Sequence, residues 1–408
     1  MLSKVWVSLI LFACCLTLVR AVFGESHLLG EFVQALFTTS SQSVDIALGL
    51  IGALTFWMGL FRVAERAKII EQLGRLLARP LRALMPGVPK GHPALGSMTL
   101  NIAANVLGLD NAATPAGLRA MRDLQKCNPD KARLSDAQMM FVVLNTSSVT
   151  LLPVTILMYR AEFGSTQSAS VLLPIIIATS CSTLAGVALV ACIQKLRIWS
   201  FRLCLGIVLY AGLLVSALVL LRQSDNSAGM AHFGNALLIT VVMSILGLAS
   251  FRKQDVYTQF IQGAKSGFAI AIRIIPYLVA MLVAVGLLRA SGAFEAVLVS
   301  IRTFCTWMNI NPAFVDALPT ALMKPFSGSG ARALMLDTMQ VHGVDSTAGR
   351  MAAVMQGSTE TTFYVLAVYL GAVGIQQSRY LLSVCLAADV VAALAAILIT
   401  PIAFSLIG

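Results

Sequence analysis

Apolar residues run along the chain in blocks of about 20, the length that carries a helix across the hydrocarbon core. Such blocks predict spans near 43–62, 137–158, 169–192, 199–221, 232–251, 267–289, 350–372 and 381–400. A shorter apolar stretch behind Lys4, from Val5 to Val19, predicts an uncleaved first span rather than a signal peptide, because no convincing cleavage site follows it. The pattern predicts an all-α polytopic membrane protein with about nine spanning helices.

Two further segments are apolar but are broken by turn residues. One is Pro93–Pro115, where asparagines and glycines interrupt the run; the other is Asn311–Gly330, which ends in Ser327-Gly-Ser-Gly330. Each has an apolar arm, a turn and a return arm, the pattern of a re-entrant hairpin. Non-helical backbone survives at membrane depth only where protein or a water-filled cavity satisfies it. An amphipathic stretch precedes each hairpin, at Ala64–Met85 and Phe294–Met308, and suits a helix lying in the interface.

The order of these pieces repeats. Span 43–62, amphipathic stretch, hairpin and a span interrupted by Leu144–Thr150 are followed later by span 267–289, amphipathic stretch, hairpin and a span interrupted by Met355–Thr362. Asn145 aligns with Gln356, Ser147 with Ser358, Ser148 with Thr359, and Thr150 with Thr361. An odd number of spanning steps separates the copies, which predicts two inverted-topology repeats, each with a re-entrant hairpin and an interrupted helix. The chain divides into a first repeat at 1–195, linker spans at 196–230 and a second repeat at 231–408. Inverted repeats with interrupted helices are where secondary transporters hold their solute.

Charge supports the topology. Only 12% of the 408 residues are charged, against about 25% in soluble proteins. The net charge of +11 collects in alternate loops. With the N-terminus in the cytoplasm, the segment 63–136 and the loops holding Lys195 to Arg202 and Arg252 to Lys265 fall inside, as the positive-inside bias requires for a bacterial inner-membrane protein. No block of Lys and Arg interleaved with aromatics marks a nucleic-acid surface. The eight cysteines include no CxxC pair and the four histidines are scattered, so no metal site is expected. No HExxH, nucleophile elbow, Walker A or GxGxxG motif suggests an enzyme or cofactor.

The candidate chemistry lies where polar groups interrupt apolar runs. In the first hairpin these are Asn105, Asp110, Asn111 and Thr114; in the first interrupted helix, Asn145, Thr146, Ser147 and Ser148. In the second half they are Ser327 and Ser329, whose glycine neighbours suggest a backbone cradle for an anion, followed by Gln356, Ser358, Thr359, Glu360 and Thr361. A charge at the depth of Glu360 costs about 2.5–3.5 kcal/mol on insertion scales, so Glu360 should meet a hydrated cavity, a proton or a cation. Lys324 and Arg332 are its candidate charge partners, and Asp389 is a second intramembrane acid. Single polar residues of this kind often only hold helices together; two matched clusters, each after a hairpin, favour a site. Asp45 and Arg273 read as near span ends, from which they would snorkel.

These segments resemble a known family. Phe56-Trp-Met-Gly-Leu60, Asn105–Pro115 and Asn145–Pro153 are similar to the spore maturation A proteins. Ile275–Ala284, Lys324–Gly330 and Val354–Thr362 are similar to the spore maturation B proteins. The chain therefore looks like a fusion of both, within the nucleoside-recognition "gate" group. That resemblance implies transport, with hairpins akin to those of concentrative nucleoside transporters, without fixing a nucleoside as the solute.

The expected function is secondary transport of a small polar solute, nucleoside-like or an envelope precursor, driven by a proton or sodium. The rival is a non-transporting membrane scaffold that recruits a peptidoglycan-modifying envelope enzyme. A transporter should carry a polar cavity lined by both motif sets, whereas a scaffold should pack them dry. A homo-oligomer is left open.

Overall fold

The computed structural model describes residues 2–89, 91–108, 110–147, 150–196, 201–223, 228–375 and 377–404, and the regular structure among them is helical throughout. In the first half the helices are α1 (Leu2–Val22), α2 (His27–Arg66), α3 (Ile69–Leu84), α4 (Pro93–Val106), α5 (Asp110–Cys127), α6 (Asp136–Thr146), α7 (Val154–Glu162) and α8 (Leu172–Ile193). Then come α9 (Phe201–Gln223) and α10 (Ala228–Phe251). The second half holds α11 (Val256–Ala290), α12 (Ala293–Trp307), α13 (Leu318–Met323), α14 (Gly328–His342), α15 (Thr347–Gly357), α16 (Thr362–Gly371) and α17 (Leu381–Phe404).

Five helices among the described residues are long and apolar enough to cross a bilayer: α2, α8 with its preceding turn, α10, α11 and α17. The protein is thus a multi-pass membrane protein. The other predicted spans are two shorter apolar stretches, Trp6–Val22 and Val208–Leu221, and the two interrupted runs, which split into α6/α7 and α15/α16. The predicted amphipathic stretches are α3 and α12, and the predicted hairpins are the helix–turn–helix units α4/α5 and α13/α14.

Two spans are longer than the apolar pattern indicates. At about 1.5 Å per residue, α2 is about 60 Å long and α11 about 52 Å, against a hydrocarbon core of about 30 Å. About three turns into α2, the segment Thr38–Ser43 is rich in Ser and Thr, whose hydroxyls turn back onto the helix: Ser40 Oγ donates to the Leu36 carbonyl at 2.7 Å and Ser43 Oγ to the Thr39 carbonyl at 2.5 Å. Asp45 and Arg273 therefore stand well inside long helices, not at their ends.

These two helices pack along their length in antiparallel fashion. A Cβ at Gly267 would meet the Leu54 carbonyl at 2.6 Å, and one at Gly263 would lie 2.5 Å from Arg62 Cβ, so both glycines permit close backbone approach. Near the other end a Cβ at Gly286 would stand 3.4 Å from Thr39 Cβ. That separation is at the short edge of the Cβ spacing of a disulfide, about 3.5–4.5 Å, so a small shift of either helix permits one. The double substitution Thr39→Cys with Gly286→Cys, in a background freed of native cysteines, is expected to cross-link on mild oxidation. A peptide map showing no bridge between these two positions would contradict the pairing.

The interrupted helices match piece for piece. Both α6 and α15 have 11 residues. Each starts behind a serine N-cap: Ser135 Oγ accepts from Gln138 N at 3.2 Å, and Ser346 Oγ from Gly349 N at 3.0 Å. Each ends at a serine, Ser147 or Ser358, the pair aligned from the sequence. Their two ends are pinned in opposite senses. Arg379 Nη1 donates to the Leu134 carbonyl and to Asp136 Oδ1, both at 3.3 Å, joining the start of α6 to the segment after α16. Arg160, near the end of α7, donates to the Val344 carbonyl at 2.9 Å and pairs with Asp345 at 2.6 Å, just before α15. The α6/α7 and α15/α16 runs are therefore antiparallel.

Candidate solute cavity between the two interrupted helices

Breaking a helix at membrane depth strands backbone groups, and those groups need partners. Here each break is answered by the rest of the fold. Thr146, the last residue of α6, accepts at its carbonyl from Glu360 N at 2.8 Å, so the two breaks are bonded to each other. The Ser147 carbonyl accepts from the Thr179 and Thr183 hydroxyls of α8, at 3.2 and 2.9 Å. Each helix–turn–helix unit bonds to the break of its own half. The Val106 carbonyl accepts from Leu151 N at 2.9 Å, and the Pro325 carbonyl accepts from Phe363 N at 3.0 Å. In the register that aligns Asn145 with Gln356, the two donors, Leu151 N and Phe363 N, fall within one residue of equivalent places.

Between these elements lies a cavity of about 620 Å³. The first half lines it with Asn105, Thr114 and Asn145; the second half lines it with Ser327, Ser329, Arg332, Glu360 and Thr361. Eight residues expected from the sequence thus share one cavity. An amide network holds its floor. Asn145 Oδ1 accepts from Asn105 Nδ2 at 2.9 Å and from the Tyr369 hydroxyl at 3.1 Å, and Asn145 Nδ2 donates to the Phe141 carbonyl at 2.8 Å. The Tyr369 hydroxyl in turn accepts from Asn101 Nδ2 at 3.2 Å. Tyr369 belongs to the second half and the three asparagines to the first, so the network couples the halves. Phe326 and Phe363, stacked with centroids 5.1 Å apart, form an apolar wall with Tyr364.

Other expected site residues stand behind this surface. Thr146 Oγ1 donates to the Val143 carbonyl at 3.1 Å, as does Ser147 Oγ at 2.8 Å; Ser358 Oγ does the same to the Met355 carbonyl at 2.9 Å. Gln356 Nε2 reaches the Gly328 carbonyl at 3.4 Å, tying the second break to the first turn of α14. Thr359 is buried with Asp389, whose Oδ2 accepts from the Thr362 hydroxyl at 2.7 Å. Lys324 is buried within electrostatic reach of Asp389. Ser148 and the side chains of Asp110 and Asn111 lie outside the described residues.

The Ser327–Gly330 segment differs from the expected loop cradle. Gly328 starts α14, and Ser327 is its N-cap, accepting from Gly330 N at 3.0 Å. What faces the cavity is the first turn of a 15-residue helix, where the dipole is positive, with Arg332 one turn further on. A Cβ at Gly328 would fall 2.7 Å from Thr361 Oγ1. On the expectation of transport drawn from the sequence, Gly328→Val should push Thr361 out of the lining and reduce solute transport at least about tenfold, since misplaced binding groups cost orders of magnitude. Membrane insertion should be unchanged; full transport in the variant would remove this turn from the site.

Tyr369 and the Phe326/Phe363 wall were not singled out by sequence reasoning, because aromatics in an apolar run look like ordinary lining. Gly117 on α5 makes room for the phenol, since a Cβ there would collide with the Tyr369 hydroxyl.

The comparisons with known proteins bear on this arrangement. Residues 47–166 and 271–376 match the Gate family, described as nucleoside recognition. The chain belongs to that family. It is 32% identical over 188 residues to spore maturation protein A of Bacillus subtilis, a stretch that is 46% of this chain and 92% of that protein. It is 41% identical over 169 residues to spore maturation protein B of the same organism, 41% of this chain and 93% of that protein. The chain is thus similar to a fusion of the two. No solved structure matches it. The matched segments contain both helix–turn–helix units, both interrupted helices and most of the cavity.

Proposed function

We propose that the protein is a secondary transporter of the bacterial inner membrane, built from two inverted repeats, whose small polar solute binds in the cavity between the two breaks. The observation that carries this reading is the lining itself. Each half contributes one helix–turn–helix unit and one broken helix to a single space of about 620 Å³ that both polar and aromatic side chains line, the arrangement expected of a midplane solute site. The antiparallel course of α2 and α11, and of the two broken helices, is what inverted repeats require. A scaffold that only recruits an envelope enzyme would have no use for a hollow here.

In this reading Asn105, Asn145, Ser329 and Thr361 hydrogen-bond the solute, and Glu360 or Asp389 carries the coupling proton or sodium. The ends that hold Asp136, Gln194 and Arg379 face the cytoplasm, by the positive-inside bias. The test is uptake into proteoliposomes of the purified chain, using solutes that change in concentration inside and outside a deletion strain. Gradient-driven accumulation of at least one of them is expected. Accumulation equal to that of empty liposomes for every such solute would overturn the reading.

A further inference from the structure

A second cavity, of about 600 Å³, runs along α2 and α11. Leu54, Trp57 and Phe61 make it largely apolar, and Arg62, Glu65 and Gln262 give it a polar edge. Among the described residues, the side chain that lines both cavities is that of Arg332. The guanidinium carbon of Arg332 lies 5.7 Å from the centroid of the Tyr159 ring, close enough for a cation–π contact, and Tyr159 is buried in α7. A cation–π contact of this kind restricts where the guanidinium can swing while leaving its N–H groups for a ligand. Gly328 and Ser329, in the first turn of α14, line the first cavity beside it and add the positive end of a helix dipole.

We propose that Arg332 is an oxyanion receptor at the junction of the two cavities, and that the solute therefore carries a carboxylate or phosphate group. This identifies the solute class within the transport reading above and rests on it for its physiological meaning. The planar guanidinium fork binds two oxygens of either group at once, which a lysine ammonium does not reproduce. Glu360 lines the same cavity and repels an anion, so the anionic group sits at the Arg332 end and any cationic or neutral polar group faces Glu360. The Phe326/Phe363 wall accepts the apolar body between them.

The test measures binding without transport. Purified full-length protein in lipid nanodiscs is titrated with phenylacetate, phenyl phosphate and the neutral benzyl alcohol, and its melting midpoint is followed. One or both anions are expected to raise the midpoint in a saturable way while benzyl alcohol does not, and which anion does so tells carboxylate from phosphate. Arg332→Gln should weaken anion affinity at least about tenfold, the range of a charge-assisted hydrogen-bond pair, with Arg332→Lys between it and wild type. Tyr159→Leu should weaken it too and Tyr159→Phe should not; these two and Arg332→Lys decide the matter if Arg332→Gln does not fold. Absence of anion binding to wild type, or equal affinity in Arg332→Gln, overturns the proposal. Arg332-dependent anion binding by a protein that moves no solute would leave this inference standing and remove the transport reading. Transport unimpaired in Arg332→Gln would do the reverse.

Discussion

Replacing Arg160 with methionine should cost the fold about 3 kcal/mol, the largest stability loss expected from any single ion-pair residue among the described residues. Its side chain is fully buried, at 0% exposure. Four groups hold the guanidinium: the Ser168 carbonyl at 3.1 Å, the Val344 carbonyl at 2.9 Å, Ser165 Oγ at 3.2 Å and Asp345 Oδ1 at 2.6 Å. Two of these belong to the segment after α7 and two to the segment before α15, so one side chain joins the halves at this end. Methionine fills similar space but leaves two carbonyls and a carboxylate short of a donor. At the opposite end Arg379 and Asp136 are 43% and 60% exposed, and Arg379→Met should cost less than about 1 kcal/mol. Chemical denaturation in mixed micelles compares the two; equal losses would refute the staple.

Acid should weaken the same contact. Burial raises the Asp345 carboxyl, but the Ser165 hydroxyl, the charges of Arg160 and Arg350 and the Thr166 N–H outweigh it and hold the group below the ordinary aspartate value. A carboxylate lowered in the folded state stabilises above its unfolded value of about 3.9, and that contribution is lost as pH falls through the folded value. Asp345→Asn should flatten this part of the stability profile.

Most of what was legible in the sequence was legible because the bilayer penalises exceptions. Asn145–Ser147 and Gln356–Thr361 stand out as polar residues in apolar runs, and those are the places where α6 and α15 end. The turns before Asp110 and Gly328 showed as Gly, Asn, Ser and Pro clusters for the same reason. Features that obey local rules were hidden. Ser135 and Ser346 look like loop serines until each is seen capping a helix of matched length. Arg160 reads as a lone loop charge, since nothing near it in sequence announces Asp345. The length of α2 was concealed by the Ser and Thr residues from Thr38 to Ser43, which satisfy themselves on their own helix. Tyr369 was hidden because a phenol in an apolar run has two readings, and only the asparagine network of the other half chooses between them. What a single chain pattern lacks is the pairing between halves, and that pairing makes the cavity.

Glu360→Gln should abolish ion-driven solute movement while leaving the fold intact. The backbone N–H of Glu360 is bonded to the Thr146 carbonyl, so the residue stands where the two breaks cross, and its side chain lines the cavity that also holds Arg332. Glutamine preserves that backbone bond, the side-chain volume and one carbonyl acceptor, and removes only the charge and the titratable proton. If the carboxylate were merely one half of a structural ion pair, neutralising it would lower stability and leave the pH and ion dependence of transport as before. If it carries the coupling ion, stability should change by less than about 1 kcal/mol while concentrative transport falls by at least about a hundredfold, since the driving ion no longer has its ligand. Exchange of solute between two equal pools needs no net ion movement and should persist. Asp389 serves as the internal comparison. Its carboxylate is buried behind the lining on the Thr362 hydroxyl, so Asp389→Asn should disturb the second break itself and reduce exchange as well as accumulation. The deciding measurement is a pair of assays on the same Glu360→Gln proteoliposomes, accumulation under a proton or sodium gradient and equilibrium exchange without one. Wild-type accumulation with unaltered pH dependence would mean that this carboxylate carries no functional charge.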